Sequence, residues 1–252
     1  FSKAKQINVW DLEGNRYLDM FCAVGTSILS NGNTKVNESV KNNINKGNLT
    51  TLNCPEEVSL AKQIIKHHPW SDMAKFTRSG GEANALAIRI ARTFTKKKNV
   101  AFCGYHGWHD WYLSANINSK KNLDQHLMPG LNYGGIPENL KNTSFPFLYN
   151  NFDYLCKLIN KKKIGIIKME VMRNVEPKNN FLKKVRNLCN KKKIILIFDE
   201  CTSGYRENMG GVHLKLKVNP DIAIFGKALG SSYAINAIIG KKQIMKKAEN
   251  TF

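Results

Sequence analysis

Two residues in this chain have neighbours that suit them to chemistry, Asp199 and Lys227. Asp199 closes the apolar run Ile194-Ile195-Leu196-Ile197-Phe198, and Lys227 follows a second run, Ile222 to Phe225, inside Gly226-Lys227-Ala228-Leu229-Gly230. Both runs are short and lack alternation, which fits strands buried on both faces of a parallel sheet. The acid and the amine then emerge at the carboxyl edge of one sheet, where open α/β sheets bind their ligands. Most lysines are solvated surface charges. Lys227 has apolar residues before it and small ones after it, and burial there lowers its pKa toward that of a nucleophilic amine.

A third piece is a phosphate site. Met73 to Thr77 reads as a strand, Ser79-Gly80-Gly81 as a tight turn, and Glu82 to Arg92 as a helix with Ala83, Leu86, Ala87, Ile90 and Ala91 on one side. A strand feeding a glycine turn and then a helix puts free N–H groups and the positive end of a dipole at the turn. Val100 to Cys103 is another buried strand, followed by Gly104-Tyr105-His106-Gly107-Trp108-His109. An aromatic placed there can stack on a planar ring. His106 and His109 stand at metal-ligand spacing, but no third ligand is near. Ile164 to Met169 predicts a strand that ends in Glu170.

The positioning elements follow from pattern. Val9 to Met20 alternates about a Gly-Asn turn as a hairpin, while Val36 to Ile44, Pro55 to His67, Tyr154 to Asn160 and Phe181 to Asn190 carry helical spacing. His67-His68 falls at a helix C-terminus, which tolerates a cation, with metal binding as the alternative. Residues 115–150 form a long polar excursion over the sheet edge, and Ile235 to Ile239 predicts the last strand.

A chain of 252 residues, 42% hydrophobic and 23% charged, is expected to be a soluble globular protein with one large domain and a fragment of another. No apolar run is long enough to span a bilayer. Six scattered cysteines without a C-x-x-C pair read as thiols in a reducing compartment, so a cytoplasmic location is expected, without disulfides or a zinc site. The net charge of +20 raises nucleic acid as a partner, but the lysines lie in short groups near predicted helix ends, with no arginine-rich arm. A non-catalytic basic binding module is the rival reading. The chain lacks an initiating Met and stops at Thr251-Phe252, which predicts an internal fragment.

Phe198-Asp199-Glu200, Gly204-Tyr205-Arg206 and Gly226-Lys227-Ala228-Leu229-Gly230 together resemble the core signature of class III aminotransferases, pyridoxal-phosphate enzymes of fold type I. The resemblance covers nearly the whole chain. Trp10-Asp11, Gly14, Tyr17 and Asp19 are similar to the family's amino-terminal hairpin, Ser79-Gly80-Gly81-Glu82-Ala83 to its S-G-x-E-A motif, and Tyr105-His106-Gly107 to its Y-H-G motif. It implies an α/β fold with a mainly parallel, seven-stranded sheet flanked by helices. Residues 1–50 would belong to a small domain and residues 51–252 to the large cofactor-binding domain, with a carboxyl-terminal domain missing. It implies pyridoxal 5′-phosphate as cofactor, condensed with Lys227 and held at its ring nitrogen by Asp199. Ser79, Gly80 and Gly81 would bind the phosphate, Tyr105 would cover the ring, Glu170 would lie near the ring oxygen, and Thr202 would complete the site. The implied activity is amino-group transfer from a small donor to a carbonyl acceptor, similar to the glutamate-1-semialdehyde aminomutases. A keto-sugar aminotransferase and a racemase stay open on the same scaffold, and a homodimer with shared active sites is implied. The chain departs from the family pattern at Gly81, where Thr is common, at Val171, where Pro is common, and at Arg173-Asn174.

Overall fold

The apolar runs form the middle of a seven-stranded sheet in the computed structural model, which describes residues 1–47, 50–126 and 129–250. Three short strands, β1 (Lys3–Lys5), β2 (Asn8–Trp10) and β3 (Arg16–Leu18), make a separate antiparallel sheet. The expected hairpin is β2–β3, with Trp10 opposite Arg16, and β1 adds an edge that alternation over three residues does not reveal. The large sheet comprises β4 (Met73–Thr77), β5 (Val100–Cys103), β6 (Ser144–Pro146), β7 (Ile166–Glu170), β8 (Ile195–Asp199), β9 (Ile222–Phe225) and β10 (Asn236–Gly240), in the order β4-β10-β9-β8-β7-β5-β6.

Strands β6, β5, β7, β8 and β9 pair in parallel, whereas β10 runs antiparallel to both β9 and β4. The reversal has a simple cause. Only residues 226–235 separate β9 from β10, too few for the crossover that a parallel neighbour requires. The long excursion contains β6, which pairs on β5 at the sheet edge, where Pro146 is tolerated.

Helices α1 (Thr34–Asn45), α2 (Pro55–His67), α3 (Gly80–Thr95), α4 (Phe152–Lys162) and α5 (Phe181–Lys192) surround the sheet. On one face Ile166, Ile195, Ile197, Ile222 and Ile224 pack in one cluster with Ala83, Ala87 and Ile90 of α3. On the other, Ile167, Met169, Leu196 and Phe198 join Leu155 and Leu158 of α4 and Phe181 and Val185 of α5. Alternate residues of each central strand are thus buried on opposite faces, which is why the runs of β8 and β9 are apolar up to Asp199 and Phe225.

One buried polar network corrects the reading of His67-His68. His68 is fully buried and stacks on His213, with ring centroids 5.4 Å apart, and burial holds its pKa at about 4, so it is neutral rather than a terminal cation. The Trp70 indole donates to His213 Nε2 (3.0 Å), which places the His213 proton on Nδ1, donated to Glu200 (2.7 Å). Glu200 also accepts from the backbone N–H groups of Val212 and His213 and from the Ser203 hydroxyl. Its carboxylate therefore pins the loop after β8 to residues 211–213. Replacing Glu200 with Ala strands several buried donors, each worth about 1–3 kcal/mol, and is expected to lower stability by roughly 3 kcal/mol or more in urea unfolding. A variant as stable as the parent would show that solvent takes over those bonds.

Candidate active site

The end of β8 delivers Asp199 into a fully enclosed setting. Its Oδ1 accepts from the Cys201 N–H (3.0 Å), and its Oδ2 accepts from His106 Nδ1 (2.8 Å) and faces the Lys168 ammonium at 3.6 Å. Burial by itself would raise the carboxyl's pKa. The Lys168 charge and the His106 bond outweigh it and hold Asp199 well below the usual carboxylate range, hence ionised. His106 is spent here rather than on a metal. Burial and Lys168 push its ring down to about 4, so it is neutral and donates from Nδ1, leaving Nε2 facing the Cys103 carbonyl at 3.1 Å without a proton to share. Neither His106 nor Lys168 is evident as a partner of Asp199 from sequence. The available signal for Lys168 is a charge inside an otherwise apolar strand.

Lys227 opens a short turn after β9, with Gly226 in extended backbone and its own φ at +46°. Left-handed backbone in a residue with a side chain costs about 1–2 kcal/mol and persists where surrounding structure enforces it. Here Gly230 and Ser231 N–H groups both donate to the Lys227 carbonyl. Lys227 Nζ donates to Thr202 Oγ1 (3.4 Å), and Arg173 Nη2 reaches the same oxygen at 3.5 Å. Arg173 also pairs with Glu170 Oε1 through Nε and Nη2, and Glu170 Oε2 accepts from the Tyr105 N–H (3.2 Å). One chain of contacts thus joins Lys227, Thr202, Glu170 and Tyr105, with Arg173, which motif matching did not place, as its link. Burial first, then Arg173 and Arg206, lower the pKa of Lys227, while burial and Asp199 raise that of Glu170. Gly104 is required beside this carboxylate, since a Cβ there would lie 2.4 Å from Glu170 Oε2, and its φ is +108°.

Ser79, Gly80 and Gly81 stand at the start of α3, and the two glycines belong to its first turn rather than to a separate loop. Ser79 Oγ accepts from the Glu82 N–H while Glu82 reaches back to the Ser79 N–H, a capping box that leaves the hydroxyl proton of Ser79 free to donate. The N–H groups of Gly80 and Gly81 have no acceptor within the helix. The departure at Gly81 has a steric cause, since a Cβ there would sit 2.7 Å from the His109 ring. Asn236 locks this end to the lysine turn. It donates to the Arg78 carbonyl, and its Oδ1 lies 2.0 Å from where a Gly226 Cβ would be.

The segment before α1 closes the site from above. Arg206 donates to the carbonyls of Gly25 and Thr202, and Ser27 Oγ bonds Ser232 Oγ at 2.8 Å. A cleft lined by Val24, Gly25, Arg173, Thr202 and Arg206 results, and Arg173 also lines a second cleft with Gly104, Tyr149 and Glu170. The helix start, the ionised acid and the half-buried amine converge at one sheet edge. Free N–H donors for a phosphate, a buried anion for a ring nitrogen and an amine for an aldehyde suit pyridoxal phosphate.

Comparison with known proteins identifies the family. The chain matches the family described as aminotransferase class-III over residues 1–251. It is 34% identical to 3-aminobutyryl-CoA aminotransferase of Cloacimonas acidaminovorans over 98% of its length, and 37% identical to glutamate-1-semialdehyde 2,1-aminomutase of Methanocaldococcus jannaschii over 97%. It spans 58% of the length of each. The PLP internal aldimine form of the FumI protein of Sphingopyxis sp. MTA144 has a TM-score of 0.88 to this structure at 21% identity, covering 100% of this chain and 59% of that one, which is a likeness of fold. The α/β architecture is that of fold type I, the family's cofactor is pyridoxal 5′-phosphate, and this chain belongs to the class III aminotransferases.

Proposed function

We propose that this chain is the large, cofactor-binding part of an enzyme that moves an amino group from a small donor to a carbonyl acceptor, in the manner of a glutamate-1-semialdehyde aminomutase. The observation that carries it is the convergence of Lys227 and an ionised Asp199 at the carboxyl ends of adjacent strands, beside the start of α3. When bound, pyridoxal phosphate supplies a conjugated ring that takes up the electrons of the bond being broken. Lys227, with its pKa lowered, would supply the amine that holds the cofactor's aldehyde, and once a substrate amine has replaced it there, the freed Lys227 amine would carry the proton taken from the substrate carbon. Asp199 holds a proton at the ring nitrogen. Ser79, Gly80 and Gly81 hold the phosphate, Tyr105 covers the ring, Glu170 lies near its oxygen, and Thr202 orients the Lys227 amine.

The same reading assigns residues 1–50 to a small domain, residues 51–252 to the large one, and the whole protein to a cytoplasmic homodimer with shared sites. Its support is chemical. Leu12, Met20, Phe21 and Val24 expose large apolar side chains on the amino-terminal segment, a surface that a second copy would cover. Thr251 and Phe252, where the resemblance puts a contact across the subunit boundary, lie outside the described residues. All six cysteines are unpaired, and among the described residues no helix is long and apolar enough to cross a membrane.

Borohydride reduction of the full-length protein loaded with cofactor tests the assignment. A peptide map is expected to carry the reduced cofactor on Lys227, and attachment to another lysine would overturn it.

A further inference from the structure

Beyond its charge on Asp199, Lys168 has no part in the chemistry proposed above. It stands in β7 between Ile167 and Met169, is fully buried, and among the described residues its ammonium lacks a hydrogen-bond partner, with Asp199 Oδ2 just beyond reach at 3.6 Å. Removing an ammonium from water costs several kcal/mol, and an aliphatic side chain would complete the layer formed by Ile166 and Ile197. A cation retained at such a position calls for a function.

Charge accounting around Asp199 supplies one. The groups that act on Lys168 are Asp199, Cys201 and Glu170, and those that act on Asp199 are Lys168, His106 and the Cys201 N–H. Burial keeps the Cys201 thiol protonated, His106 is neutral, and Glu170 is paired with Arg173. With Asp199 ionised and Lys168 protonated, the enclosure is neutral. A protonated ring nitrogen seated against Asp199 would add a second cation to the same carboxylate. Two unit charges about 4 Å apart repel by roughly 4 kcal/mol at an effective dielectric of 20. Loss of a proton from Lys168 removes that repulsion, and burial already lowers the pKa of this lysine.

We propose that Lys168 is a charge-balancing, positioning residue of the cofactor site: as an ammonium it holds Asp199 ionised before the cofactor binds, and it gives up its proton when a protonated ring nitrogen takes its place against the carboxylate. The proton count closes in both cases. If the ring nitrogen arrives protonated, the Lys168 proton leaves to solvent; if it arrives unprotonated, that proton passes to it by way of Asp199 Oδ2. Either way the pair changes from carboxylate–ammonium to carboxylate–pyridinium, and Lys168 ends as a neutral amine.

The inference rests on Asp199 being the partner of the ring nitrogen, and the test separates the two. Dissociation constants of the full-length protein are measured for pyridoxal phosphate and for its 1-deaza analogue, in which C–H replaces the ring nitrogen and no charge can form. In the parent, Lys168 compensates Asp199 under the analogue. In Lys168→Met the analogue leaves Asp199 as a buried, unpaired charge, so the analogue-to-cofactor ratio of dissociation constants is expected to rise at least about tenfold, while Lys168→Arg, whose guanidinium keeps its proton beside the pyridinium, weakens the cofactor alone and lowers the ratio below the parent's. A packing role alone would weaken both ligands equally, and an unchanged ratio in Lys168→Met overturns the proposal. An Asp199→Asn variant that also keeps the parent ratio would overturn the Asp199 assignment with it. Should Lys168→Met fail to fold, calorimetry of the parent in buffers of different ionisation heat decides, at a pH where the free cofactor carries its ring proton. About one more proton should be released with the cofactor than with the analogue, and equal release overturns the proposal.

Discussion

Turnover by a Lys227→Ala variant of the full-length protein is expected to fall by about 10⁴-fold or more, because in the proposed reading one amine serves as nucleophile and then as proton carrier. Among the described residues no second amine bonds to the Thr202 hydroxyl that receives Lys227. Lys168 lies enclosed against Asp199, away from the hydroxyl of Thr202 that receives Lys227. The fold should survive the change. Lys227 is about half buried, its turn is held by backbone bonds from Gly230 and Ser231, and Ala bears the same left-handed φ that Lys already does. Single-turnover kinetics beside circular dichroism separate the two effects. A variant with native spectrum and near-parent turnover would remove Lys227 from the mechanism.

For Asp199→Asn, proton transfer at the substrate carbon is expected to slow by about 10²- to 10³-fold while the cofactor still attaches to Lys227. An amide cannot stabilise a proton at a ring nitrogen as a carboxylate does, so the ring draws electrons less strongly. The attachment step depends instead on Lys227 and on the start of α3, which the substitution leaves untouched. The same change deprives Lys168 and His106 of their shared anion, and losing one partner of a buried charge pair costs about 3–5 kcal/mol when the other keeps its charge. Deprotonation of Lys168 limits that cost. Stopped-flow measurement of the half-reaction with an amino donor reads the rate directly, and an unchanged rate would move the electron-sink role to another residue.

The residues of the candidate site are legible in the chain itself. A strand buried on both faces needs an unbroken apolar run, so Ile195–Asp199 and Ile222–Phe225 announce both their burial and the edge at which Asp199 and Lys227 emerge. Ser79 with Glu82 three residues later marks the start of α3 for an equally local reason, the orphan N–H groups of a first helical turn. Local pattern carries no information about neighbours across the sheet. The reversal of β10, the edge strand β6 inside a polar stretch, and the burial of His68 against His213 all depend on which elements pack together. Lys168 shows the boundary most clearly. Its charge in an apolar strand is visible in the sequence, but its meaning comes from register: β7 pairs with β8 so that Lys168 lies opposite Ile197, and Asp199 follows on the same face. His106, 93 residues from Asp199 in the chain, reaches the same oxygen from the loop after β5. Periodicity reports whether a side chain is buried; which charge it meets there is decided by strand order and register, which non-local packing sets.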